Sequence, residues 1–206
     1  MSTIATHLAP SRSDGAARPS FRVACVLGGS ILVAVLAQIS FTLPFTPVPI
    51  TGQTLGVLLV GAAYGPGLAA ATLGLYLVWA VIGLPVLALE PDGSHRTGVD
   101  VLRLVSATGG YLWGFVAAAA LVGWLARRGW DRSLRSSISA MLLGSIAIYA
   151  FGVPWLMSAV DLPLEQGLEL GLYPFVIGDT LKLLAAAGLL PVAWSAVHRL
   201  RSGQGD

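Results

Sequence analysis

The 206-residue chain contains one cysteine, one lysine and no asparagine, and only 11% of its residues are charged. Ordinary soluble domains carry about 25% charged residues, so this composition cannot solvate the surface of a soluble globule. With 55% hydrophobic residues and a positive mean hydropathy, the chain reads as an all-α polytopic membrane protein. At about 20 residues per crossing its length has room for six transmembrane helices in one domain. The single cysteine, Cys25, lies in an apolar run; it excludes an internal disulfide and a multi-cysteine metal site, and reads as a small core residue. The net charge of +2, with its cations gathered in short segments beside the spans, excludes a nucleic-acid footprint. No phosphate-binding GxxxxGK[ST] loop, nucleophile–base pair or metal-ligand cluster is present. No catalytic residue, metal ligand or bound cofactor is therefore expected, and any ATP must be hydrolysed by another chain.

Against this scarcity of charge, Pro174-Phe175-Val176-Ile177-Gly178-Asp179-Thr180-Leu181-Lys182 stands out. It puts two opposite charges inside an apolar run long enough to cross a bilayer, where each costs roughly 2.5–3.5 kcal/mol even on lenient insertion scales. Asp179 and Lys182 are three residues apart, which on a helix places them on one face, able to pair with each other or to grip a polar ligand together. Lys182 is the only lysine; every other cationic side chain with a fixed charge is arginine. A structural ion pair remains an alternative to a ligand site, although ionisable groups at this depth generally mark a site or pathway.

Residues 1–20 lack hydrophobic periodicity and are expected to be a disordered cytoplasmic segment, leaving 21–201 as the six-helix substrate-binding domain. Phe21–Phe41 is too long for a signal-peptide core and is the first predicted span. It contains two pairs of small residues four apart, Ser30 with Ala34 and Ala24 with Gly28, a spacing that lets another helix approach closely. The stretch from Leu43 to Gln53 holds Pro44, Pro47 and Pro49, which forbid a regular helix; it is either a lid folded inward through Phe45, Val48 and Ile50 or a stiffened turn. Further spans are predicted over Ile50–Tyr64, Leu68–Leu84, from Thr108 to Arg127, over Leu134–Met157 and over Leu172–Val197. Residues 90–106 form an exposed polar loop in which His95 is expected to be solvated. Asp161, Glu165 and Glu169 mark an acidic interfacial helix. Glycines at 109, 110 and 114 permit close backbone approach to a ligand or to a neighbouring helix.

Nine arginines, at 12, 18, 22, 127, 128, 132, 135, 199 and 201, fall on one side of a six-span arrangement, and only Arg96 and Arg103 fall on the other. The positive-inside rule then places both termini in the cytoplasm. The proline-rich loop, the 85–107 loop and the end of the sixth span near Asp179 face outward.

Taken together, Ala37-Gln38-Ile39, Pro44-Phe45-Thr46-Pro47-Val48-Pro49-Ile50-Thr51-Gly52-Gln53-Thr54, Gly83-Leu84-Pro85-Val86, Thr108-Gly109-Gly110-Tyr111-Leu112-Trp113-Gly114-Phe115 and Gly178-Asp179-Thr180-Leu181-Lys182 resemble the BioY family, the biotin-binding S components of energy-coupling-factor (ECF) vitamin transporters. The resemblance covers nearly the whole chain after residue 20. It implies six helices, an occluding first loop, capture of biotin from outside for ATP-driven uptake, and location in the cell membrane. It also implies partnership with a transmembrane T component and two ATPase subunits, with Ser30 and Ala34 matching the family's docking motif in the first helix. The implied ligand-binding set is Asp179, Lys182, Gln53, Thr51, Thr108, Gly109, Gly110 and Tyr111. Two departures stand out. Ser106-Ala107 replaces the family's usual Gly-Pro, and the absence of asparagine means that any family Asn contact in the loop before the fourth helix is missing or replaced.

Biotin's ureido ring offers two N–H donors and a C=O acceptor, beside an apolar thiophane and a carboxylate tail. A carboxylate can accept from the ureido N–H groups, an ammonium can donate to its carbonyl or to the tail, and Tyr111 and Trp113 are expected to cover the apolar face. Which of these Lys182 meets stays open in the sequence. Two alternatives to the transporter subunit also stay open: an intramembrane enzyme using Asp179 as acid or base, and a structural membrane subunit in which the two charges only pair.

Overall fold

The computed structural model describes residues 3–8, 19–90 and 93–202. Among them are eight α-helices: α1 (Ile4–Leu8), α2 (Pro19–Gln38), α3 (Gln53–Tyr64), α4 (Pro66–Val81), α5 (Gly109–Arg127), α6 (Leu134–Val160), α7 (Leu164–Gly171) and α8 (Tyr173–Ser202). Four of them, α2, α5, α6 and α8, are long and apolar enough to cross a membrane. The second and third predicted spans are the apolar but shorter α3 and α4, of 12 and 16 residues. Gly65, at φ 78°, and Pro66 separate them, a turn with positive φ followed by a residue suited to the first turn of a new helix.

The first predicted span ends three residues early. Ser40–Phe41 (β1) instead pairs antiparallel with Ile50–Thr51 (β2), Ser40 opposite Thr51 and Phe41 opposite Ile50. This small ladder, absent from the all-helical expectation, closes the proline-rich loop at its base, and the prolines that forbid a helix favour the extended backbone it needs. Gly52 follows, its N–H bonded to the Ile39 carbonyl at 2.9 Å; a Cβ there would come 2.7 Å from the Leu36 carbonyl oxygen, so only glycine lets the loop lie this close to α2.

Helix α5 is the centre of the bundle, packed against α3, α4 and α6 and buried along most of its length. Two apolar clusters make up the core. One runs from Val48, Leu87, Tyr111 and Phe175, around the end where α3 and α5 begin, to Val60 and Ala69 near the α3–α4 turn. The other has Leu58, Val122, Met141, Ala186 and Leu190 at its heart.

Part of the leading segment is ordered against this second cluster. Residues 1, 2 and 9–18 lie outside the described residues, but Ile4–Leu8 form α1 where no regular structure was expected. Its apolar residues explain the difference: Ala5 is buried and Ile4 packs on the second cluster, and the His7 ring meets Trp194 edge-on at 5.0 Å. Trp194 Nε1 in turn donates to Asp131 Oδ2 at 2.6 Å, tying α8 to the α5–α6 connection.

Candidate functional site

Thr51 ends β2 and Gln53 and Thr54 open α3, so the exit from the proline-rich loop delivers three polar side chains to one place. The Thr51 hydroxyl donates to Gln53 Oε1 at 2.9 Å, and Gln53 Nε2 donates to the Tyr76 hydroxyl at 2.6 Å. Tyr76 passes the chain on to the Val86 carbonyl at 2.9 Å. This buried relay ties the base of the loop to α4 and to the start of the 85–107 loop.

Helix α8 brings Asp179 and Lys182 to the same place on one face. Lys182 Nζ donates to Asp179 Oδ1 at 2.6 Å, to the Thr51 carbonyl at 2.6 Å and to Thr54 Oγ1 at 3.2 Å. Thr54 Oγ1 donates to Asp179 Oδ1 at 3.1 Å, and the Tyr149 hydroxyl of α6 donates to Asp179 Oδ2. The pair is therefore fixed by α3 and α6 as well as by its own helix. An ammonium has three N–H donors and an ionised carboxylate about four acceptor positions. All donors of Lys182 are occupied, whereas Asp179 Oδ2 keeps room to accept one more bond.

These groups form part of the wall of a cavity whose free volume, counted for the centres of water-sized spheres, is about 70 Å³. Leu112, Phe115, Ile148 and Phe175 make its walls apolar, and Tyr111 and Tyr149, packed edge-to-face with centroids 6.3 Å apart, add an aromatic side. Tyr111 is held by donating to the Gly171 carbonyl at 2.7 Å. Val48 and Pro49 of the proline-rich loop lie against the cavity, and Thr46 of that loop donates to the Leu170 carbonyl at 2.6 Å. Phe45, expected to fold inward, is exposed instead.

Of the eight predicted ligand-binding residues, Thr51, Gln53, Thr108, Tyr111, Asp179 and Lys182 line this one cavity. Gly109 and Gly110 do not: both face Trp155 of α6. Trp113 points outward, half-exposed, because two residues along a helix is a turn of about 200° from Tyr111. His95 is not simply solvated; its Nδ1 donates to the Leu87 carbonyl at 2.8 Å. The predicted docking pair also separates. Ser30 is wholly buried, its hydroxyl within 2.8 Å of both the Val26 and Thr72 carbonyls, so its small size serves packing of α2 on α4, while Ala34 is partly buried. The other small pair, Ala24 and Gly28, is the exposed one.

Thr54, Tyr149, Glu90 and Arg96 also line the cavity, outside the set expected from the sequence. A tyrosine inside an apolar span needs a partner for its hydroxyl, and that signal pointed to Tyr149. No comparable signal placed Glu90 and Arg96, which reach the cavity only through the fold of the 85–107 loop.

Fold and site together define the class: a helical membrane protein holding a cavity for a small molecule, with two ion pairs, Asp179–Lys182 and Glu90–Arg96, set into a mainly apolar and aromatic wall. The BioY family model matches residues 11–199, and the chain belongs to that family. It is 31% identical over 172 residues to the biotin transporter BioY of Rhizobium etli, covering 80% of this chain and 88% of that protein. It is 33% identical over 156 residues to the biotin transporter BioY of Thermotoga maritima, covering 76% and 85%. A crystal structure of the S-component for biotin from an ECF-type ABC transporter superposes with a TM-score of 0.71 at 25% identity, over 91% of this chain and 95% of the other.

Proposed function

We propose that this chain is the substrate-capture component of an ECF-type vitamin transporter, that its cavity holds biotin, and that it carries out no catalysis itself. The observation that carries the reading is the Asp179–Lys182 pair, fixed by Thr51, Thr54 and Tyr149 in the wall of an apolar cavity. Asp179 Oδ2 has the spare acceptor position that a ureido N–H requires, and the flanking apolar and aromatic walls suit a thiophane ring. An analogue without the ureido group leaves that carboxylate short of a partner in a dry site, which is a strong basis for discrimination.

In this reading α2, α3, α4, α5, α6 and α8 all cross the bilayer, the short α3 and α4 within the shelter of the bundle, and both termini are cytoplasmic. Support comes from the Arg127–Arg135 connection, α1 and the region around Trp194 sharing one end of the molecule, opposite the cavity. The cavity then opens outward, and a T component and two ATPase subunits supply the driving force.

Equilibrium binding of biotin to the detergent-solubilised chain tests the reading. Saturable one-to-one binding without product is expected; absence of binding by a folded protein sinks it.

A further inference from the structure

The cavity has two cations in its wall, Lys182 and Arg96, and they are not equivalent. Lys182 has no N–H left to give, because Asp179, Thr51 and Thr54 take all three, and its charge is matched by Asp179 at 2.6 Å. A second carboxylate can reach it only by displacing one of these bonds. Arg96 also faces a carboxylate, with Nε 2.7 Å from Glu90 Oε1 and Nη2 2.9 Å from Glu90 Oε2. That fork spends two of the five N–H donors of a guanidinium and leaves the others available.

The Glu90–Arg96 pair sits on a short hairpin braced by the Leu89–His95 bridge, the Glu90 N–H to Ser94 carbonyl bond at 2.8 Å and the His95 to Leu87 bond at 2.8 Å. The arginine is thus held in place without a ligand. Its side chain is 33% exposed, against 18% for Lys182, so a carboxylate meeting Arg96 gives up less hydration than one driven to the Asp179 end.

Resting on the reading of the cavity as a biotin site, we infer that Arg96 receives the ligand's carboxylate tail, and that Glu90 both positions Arg96 and competes with that tail for it. Lys182 then belongs to the ring end, where it orients Asp179. The site selects monocarboxylates over their neutral amides through Arg96, and Glu90 moderates that preference.

The test is the ratio of dissociation constants for biotinamide and biotin, measured on the full-length detergent-solubilised chain. The wild type is expected to favour biotin by about tenfold, the scale of one charge-assisted hydrogen bond. Arg96→Gln is expected to bring the ratio to within about threefold of one, and Glu90→Gln, which frees the guanidinium, to raise it about threefold or more. A wild-type ratio near one, or an unchanged ratio in folded Arg96→Gln, overturns the assignment while leaving the biotin reading intact. Should Arg96→Gln fail to fold, an unchanged ratio in Glu90→Gln overturns it equally. If the folded wild type binds neither compound, the biotin reading itself fails and the assignment falls with it.

Discussion

Gly110 lies directly against Trp155: a Cβ on Gly110 would overlap the Trp155 Cβ and come 2.5 Å from the Phe151 carbonyl oxygen. The α5–α6 crossing is that close because Gly110 has no side chain, and Trp155 is in turn fixed by donating to the Ser106 carbonyl at 2.9 Å. Gly110→Ala is expected to lower stability by about 1–3 kcal/mol, the usual cost of overpacking a tight contact. Thermal unfolding in detergent measures it; a variant as stable as wild type but deficient in biotin binding would instead make Gly110 a ligand contact.

Tyr149 offers a cleaner probe of the ion pair than either charge. Tyr149→Phe removes the hydroxyl that bonds Asp179 Oδ2 and keeps the ring in the cavity wall. Biotin binding is expected to weaken by about 10-fold, since a hydrogen bond to a charged group contributes about 1.5–3 kcal/mol and the vacated position is partly recovered by the ligand. Asp179→Asn is expected to cost more, because it leaves Lys182 uncompensated. Calorimetric titration of the two variants checks the order, and Tyr149→Phe binding as well as wild type would remove the tyrosine from the site.

Membrane orientation is open to labelling. In a Cys25→Ser background, cysteines placed at the exposed positions Ser94 and Gln166 are expected to react with an impermeant maleimide added outside intact cells. One at the exposed Ser133 is expected to react only after lysis. The opposite pattern inverts the topology.

For partner assembly, Ala24 and Gly28 are the small pair on α2 that the structure leaves exposed. A Cβ at Gly28 meets nothing within 4 Å, so Gly28→Trp is expected to leave the isolated chain folded and to cut co-purification with a T component by about 10-fold or more. Ser30→Trp is expected to damage the chain itself, because that side chain is buried between α2 and α4. Normal assembly by Gly28→Trp would place the interface elsewhere.

What could be read in advance follows from how local each signal is. Asp179 and Lys182 were legible because charge at bilayer depth is costly and their spacing fixes a common helix face. Thr51 and Gln53 were legible as part of a proline-rich segment with few backbone options. Gly109 and Gly110 entered the ligand set through the family resemblance; glycine itself announces a close approach to a ligand or a helix without naming which, and here it is Trp155. Ser30 was legible as small but not as inward-facing; its burial follows the run Ser30, Val33 and Ala37 that faces the bundle. Glu90 and Arg96 depend on a hairpin folding back over the cavity, a long-range event with no periodic trace.

Leu58, Val122 and Met141 pack together in the second cluster and none of them lines the cavity, so they stand beneath it as the floor of a cup. A cup fills and empties over the same rim, so no rearrangement confined to the proline-rich loop can carry its contents through to the far side. In the proposed function, delivery to the far side then requires that the vessel itself be tipped or prised apart, which is work for a partner that takes hold of its outer wall.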